Sequence, residues 1–181
     1  MTEIDEITLE QVRRGNRRAF GSFYKHYSPF VWRLCFRSSN GDSQSAQEIM
    51  QNTFVKAHRF IGGFSKNSAL STWLYTITYS CINEYFAKVT KYNSRNIEFN
   101  DEFTTGSASQ HLPYENRQLV AAILKDLSEK ERFLLTAREV DGLSYEELAI
   151  ITKEPEGTLR TRLSRLKTDI RKRIEQMEEG A

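Results

Sequence analysis

The 181-residue chain balances 26 Lys and Arg against 24 Asp and Glu, for a formal net charge of +2, and contains two cysteines and three histidines. That length buries one or two modest cores, enough for two domains of under about a hundred residues each. Its acidic start, with Glu3, Asp5 and Glu6, is the reverse of a secretory leader, and no apolar run approaches membrane-spanning length, so the expected location is a reducing cytoplasm.

The first half reads as helices throughout. Thr8-Leu9-Glu10-Gln11 has the form of a capping box for a short opening helix. Asn16 is placed to cap a longer one, in which Phe20, Phe23, Tyr24, Tyr27, Val31, Leu34 and Cys35 recur at spacings of three and four. Pro29 inside that pattern predicts a kink, and the polar run 38–42 ends it. Ser45-Ala46-Gln47-Glu48 offers another capping box, with Ile49, Phe54, Ala57 and Ile61 as the buried stripe and Gly62-Gly63 as the stop. After a polar loop over 64–69, a fourth helix begins near Ser71 and turns Trp73, Leu74, Ile77, Cys81, Ile82 and Phe86 inward.

Periodicity vanishes from 93 to 113, a polar, acidic stretch that reads as an interdomain linker. Helical pattern resumes over 114–127, and Ser128-Glu129-Lys130-Glu131 caps a further helix running to Val140. Asp141-Gly142 turns the chain into Leu143-Ser144-Tyr145-Glu146-Glu147-Leu148, where Ser144 and Glu147 form the clearest capping box of the sequence. Pro155 breaks the pattern and suits the first turn of a last helix, whose stripe is Leu159, Leu163, Leu166, Ile170 and Ile174. No strand pattern of convincing length appears. The expected class is all-α: two small helical domains, 1–92 and 114–181, joined by the polar acidic linker, the second containing a helix-turn-helix.

Charge is segregated along this frame. Residues 13–37 hold seven Lys and Arg and no acid, whereas 129–156 hold eight acids against four bases. The last helix is basic again: residues 157–174 carry seven bases and only Asp169 as an acid. An amphipathic helix of this kind after a short turn can lie in a major groove, with arginines on phosphates and guanine edges. Two basic zones separated by acid predict contact with a polyanion at two places. The cysteines, Cys35 and Cys81, sit in apolar helical patterns and read as buried thiols, and the histidines have no metal-ligand spacing. With no Gly-rich phosphate loop, nucleophile elbow or acidic metal-ligand cluster, the sequence gives no sign of an enzyme, a catalytic residue, a metal or a cofactor.

The motifs together resemble the extracytoplasmic-function sigma factors, small bacterial initiation subunits of RNA polymerase. Phe20-x-x-Phe23-Tyr24-x-x-Tyr27, Ala46-Gln47-Glu48-Ile49-Met50-Gln51-Asn52-Thr53-Phe54 and Ser71-Thr72-Trp73-Leu74 resemble the family's promoter-melting domain. Gly142-Leu143-Ser144-Tyr145-Glu146-Glu147-Leu148-Ala149 and Pro155-Glu156-Gly157-Thr158-Leu159-Arg160-Thr161-Arg162 resemble its DNA-binding domain. The resemblance spans nearly the whole chain. It implies that the helix around Glu48, Gln51, Asn52 and Phe54 binds the clamp helices of the polymerase's largest subunit; Phe54, on the apolar stripe, reads instead as core. It implies that Ser65, Lys66, Asn67 and Ser68 capture a flipped base of the −10 element, supported by Thr72, Thr76, Lys88 and Lys91, with Arg95 beyond. Upstream, Thr158, Arg160, Thr161, Arg162, Ser164, Arg165 and Lys167 would read the −35 element. Core RNA polymerase and promoter DNA are the implied partners. An anti-sigma factor, and an activator or RNA-guided DNA-binding helper, are the further ones considered. The alternative is a free-standing helix-turn-helix regulator, which has no use for a clamp-binding helix followed by a base-capturing loop.

This sequence departs from the family pattern at several of these positions. Asn52 stands where an acid is common, Tyr79-Ser80 where an Arg-Asn pair is common, and Ala87 where a base is common. In the turn, Lys153 and Glu154 replace a Gly and an apolar residue, and Glu156 adds a second acid before the basic helix. Like-charge repulsion between these carboxylates and phosphates is expected to weaken −35 reading by the second domain alone.

Overall fold

The computed structural model describes residues 3–93 and 126–179. The linker and the helix expected over 114–127 fall almost wholly outside them, as does Arg95. The described elements are α1 (Glu6–Arg13), α2 (Arg17–Ser38), α3 (Ser43–Phe60), a 3-10 turn (Ile61–Gly63), α4 (Leu70–Asn93), α5 (Glu129–Glu139), α6 (Tyr145–Thr152) and α7 (Glu156–Glu179). Among the described residues there is no strand. None of these helices is long and apolar enough to cross a membrane.

The caps decide where each helix begins. Ser128 and Ser144 form the two reciprocal boxes expected of them, each hydroxyl accepting from the backbone N–H three residues on while Glu131 or Glu147 reaches back. Asn16 accepts from the amides of Arg18 and Ala19. The first and third helices start earlier than the sequence motifs predict. Asp5, not Thr8, caps α1, and Asp42, not Ser45, caps α3. An Asp three residues upstream can present a charged acceptor to two free amides, so it outcompetes a hydroxyl already inside the helix. Ser45 is thereby released to bond the Tyr85 hydroxyl at 2.7 Å. Helix α2 is continuous through Pro29. Removing the third cap by Asp42→Ala should cost about 1 kcal/mol in a denaturant titration, and an unchanged midpoint would show that the cap carries no stability.

Helices α1 to α4 pack around Phe23, Tyr27, Val31, Leu34, Ile49, Ala57, Leu74 and Ile82, all essentially without solvent contact. Cys35 and Cys81 are buried free thiols here, and burial raises the pKa of both, which keeps them protonated and unreactive. Helices α5 to α7 close a smaller core on Phe133, Leu134, Leu148, Leu159 and Leu163. These two helical groups do not stand apart. Phe133 is 0% exposed, and its ring lies 4.4 Å from that of Tyr79 and 5.7 Å from that of Tyr75, both on α4.

Polar contacts seal the same seam. The Asp141 carboxylate, just past α5, accepts from the Arg37 guanidinium and from the Tyr75 hydroxyl, each at 2.5 Å. Burial, reinforced by that carboxylate, raises the Tyr75 pKa, so the phenol stays a donor. Arg132, only 6% exposed, donates to the carbonyl of Ser38 at 2.9 Å and to that of Leu127 at 2.8 Å. The C-terminal end of α2 is thus tied to α5 through a buried, fully directed guanidinium.

Candidate nucleic-acid interface

Three surfaces carry the residues singled out by the sequence, and the fold treats them differently. On α3, burial of Ala46, Ile49, Thr53, Phe54 and Ala57 sends Glu48, Gln51 and Asn52 to solvent. Glu48 and Gln51, three apart, share one helix face as expected. Phe54 belongs to the core, with its ring 4.6 Å from that of Tyr24. Beside the polar residues lies an open groove lined by Phe20, Tyr24, Met50 and Val55, and Val55 is 62% exposed. Polar groups on the rim of an exposed apolar strip are the composition of a protein-docking surface.

The loop after the 3-10 turn presents Ser65, Lys66 and Asn67 to solvent and leaves Ser68 half-buried. Its base is fixed by Phe64, which is buried with its ring 5.5 Å from that of Trp73. Trp73 is half-buried, so it supports the loop from below. Lys66 sits in the left-handed region at φ 57° and forms an ion pair with Glu6 at the start of α1. The loop thus offers exposed short polar side chains above a buried Phe64.

Along α4 the expected residues separate. Lys88 and Lys91 are exposed on the outer half of the helix. Thr72 is not available: it is 4% exposed, and its hydroxyl lies 3.5 Å from Glu147 of α6. Thr76 is half-buried, with its hydroxyl on the Thr72 carbonyl at 3.0 Å. In this arrangement α5 and α6 cover Thr72, because Tyr75 and Tyr79 make the neighbouring face of α4 apolar and Phe133 packs on it.

Helix α7 buries Leu159, Leu163 and Leu166 and exposes Thr158, Arg160, Thr161, Ser164, Arg165 and Lys167, while Arg162 is half-buried. The two acids before it do not stand free. Arg162 engages Glu154 through both arms of its guanidinium, Nη1 to Oε1 at 2.9 Å and Nη2 to Oε2 at 2.8 Å. This pairing, above all its hydrogen bonds, raises the Arg162 pKa. Arg160 lies 4.0 Å from Glu156, and its guanidinium stacks 4.4 Å from the Tyr145 ring, which also takes Arg138 at 4.7 Å. Lys167 reaches Glu139 at 2.6 Å. Arg165 makes no ion pair among the described residues. The expectation of free carboxylates repelling phosphate is thus replaced by acids that already hold the helix's own cations.

The turn explains how Glu154 gets there. Lys153 ends α6 in the left-handed region at φ 60°, where glycine would be unstrained. That reversal brings the next residue alongside the second turn of α7. Tyr145, Arg37 and Asp141 were not picked out from the sequence. Their partners lie 15, 104 and 66 positions away in the chain, and no local pattern points to such pairs. The groups of three or more His, Cys, Asp or Glu that could hold a metal ion are absent among the described residues.

Comparison with known proteins places both halves. The family described as Sigma-70 region 2 matches residues 23–92, and Sigma-70 region 4 matches residues 117–170. The ECF RNA polymerase sigma-E factor of Escherichia coli K12 is 32% identical, with 94% of each chain covered. The RNA polymerase sigma-H factor of Pseudomonas aeruginosa is 33% identical over 96% of this chain and 95% of its own. In three dimensions, the sigma factor RpoE of Bartonella quintana, solved with the anti-sigma factor NepR, aligns with a TM-score of 0.66. That alignment covers 86% of this chain and 96% of that one at 23% identity, a likeness of fold.

Proposed function

The chain belongs to the extracytoplasmic-function family of RNA polymerase sigma factors, and from that premise we propose how its surfaces divide the work of initiation. As a sigma factor it binds core polymerase, directs it to promoters, and takes part in DNA opening and transcription initiation, and it catalyses no reaction itself. The outer face of α3, with Glu48, Gln51 and Asn52 beside the apolar groove, docks on the polymerase clamp. Ser65 to Ser68 capture an unstacked base of the −10 element, and Lys88 and Lys91 follow the phosphate backbone beyond it. Helix α7 faces upstream promoter DNA. The observation that carries this division is the exposed α3 face, polar at its rim and apolar in its groove.

In the arrangement seen here Thr72 and Thr76 can join the −10 contacts only after α5 and α6 leave α4. Separation of the two helical groups therefore precedes any contact of Thr72 and Thr76 with the −10 element. An anti-sigma factor is a proposed partner, as NepR is of the Bartonella protein that shares this fold. With most of the α7 cations held by the chain's own acids, promoter choice leans on the −10 element or on a helper that delivers the complex to DNA, an activator or an RNA-guided DNA-binding protein.

The loop offers a direct test. Exchanging residues 65–68 for a different polar tetrad should change which −10 base the holoenzyme prefers, read by transcription from a template library randomised at that element. Binding to core polymerase should be unaffected. A base preference identical to that of the original protein would reject the capture role.

A further inference from the structure

We propose that Glu154 withholds Arg162 from promoter DNA by occupying its guanidinium fork, so that the recognition helix carries an arginine held in reserve. This rests on the reading that α7 faces promoter DNA, and it replaces general charge repulsion with one directed pair.

The geometry is specific. Both arms of the Arg162 fork end on the two oxygens of one carboxylate, at 2.9 and 2.8 Å. That is the same planar two-acceptor pattern that a guanine edge, with N7 and O6, or two oxygens of a phosphate would offer. One guanidinium edge cannot serve two such acceptors, so Glu154 competes directly with DNA for it. The neighbouring cations are engaged differently: Arg160 meets Glu156 only at 4.0 Å, and Lys167 meets Glu139 through a single contact. Point contacts of this kind leave a two-donor edge or most of an ammonium able to turn to phosphate, whereas the fork on Glu154 takes the terminal edge of Arg162 and leaves only the edge that carries Nε. The pair is also held in place. Glu154 follows directly on Lys153 at φ 60°, and its amide faces the Thr152 hydroxyl at 3.4 Å, so the carboxylate is presented by the turn itself.

Glu154→Gln and Glu154→Asp separate the possibilities. Gln removes the charge, while Asp keeps it but draws the carboxylate back by one methylene, out of two-armed reach. If Glu154 withholds Arg162, the holoenzyme carrying either variant binds promoter duplex roughly tenfold more tightly, the effect of one recovered two-armed contact. The gain should disappear when Arg162→Ala is added. Released onto guanine, Arg162 creates a new base preference at one upstream position of a randomised library. Released onto phosphate, it raises affinity for all sequences alike and steepens the salt dependence by about one ion. Either result supports the proposal.

Three results overturn it. One is no gain in either variant whose melting curve matches that of the unsubstituted protein. Another is a gain for Gln but none for Asp, which is plain charge repulsion. The third is an equal gain with Arg162 replaced. Arg165→Ala tests the premise separately. If it binds upstream duplex at low salt as the unsubstituted holoenzyme does, α7 is not on the DNA, whatever Glu154 does.

Discussion

Replacing Glu48 and Gln51 together with Ala is expected to weaken binding to core polymerase by roughly thirtyfold, the loss of about 2 kcal/mol typical of a central contact pair. Both side chains are exposed on α3, so the helix keeps its buried stripe and the fold should stay within about 0.5 kcal/mol of the original. The physical reason for the loss lies in the partner. A carboxylate and an amide three residues apart can meet arginines on a facing helix, and removing them leaves those charges without acceptors when the interface closes. Val55 and Tyr24, beside them, supply the apolar area but no register. Titration of the double variant against purified core polymerase measures the effect. Binding as tight as that of the original protein would sink the clamp assignment, and a lowered melting temperature would expose a structural role instead.

Phe133→Ala is the second large effect. The ring is fully buried among Tyr75, Tyr79 and the α5–α7 core, and its truncation should cost about 3–5 kcal/mol, from lost burial plus the cavity left behind. Part of that cost belongs to the seam with α4. A double-mutant cycle with Tyr79→Ala isolates it: contacting aromatic rings should show a coupling of about 0.5–1.5 kcal/mol. Simple additivity of the two variants would mean that α5 and α4 are apart in solution and that the closed arrangement is not the resting state. A clear coupling would mean that the closed arrangement, with Tyr75, Tyr79 and Thr72 covered, persists in solution.

Much of this protein was legible in the order of its residues, because helices, caps and exposed faces are local properties. Spacings of three and four placed Phe23, Tyr27 and Leu34 inward and, by the same geometry, Glu48 and Gln51 outward. The boxes at Ser128 and Ser144 were legible because donor and acceptor lie three residues apart. Local reasoning slipped at Thr8 and Ser45, because Asp5 and Asp42, three residues upstream, present a charged acceptor to the free amides and take the cap. What the tertiary structure decided is which exposed-looking groups are already taken. Thr72 follows the local rule for an accessible polar position, yet it is buried beside Glu147, 75 positions further on. Asp141 looks like an ordinary turn residue, yet it anchors Arg37 and Tyr75 from the other helical group. Glu154 and Arg162 were both visible as charges, but their pairing depends on the left-handed Lys153 bringing them side by side. Sequence sets the periodicity and the inventory of charges. Which opposite charges meet is set by the packing of apolar faces, since the energy of a directed pair is too small to choose the fold and is instead conferred by it.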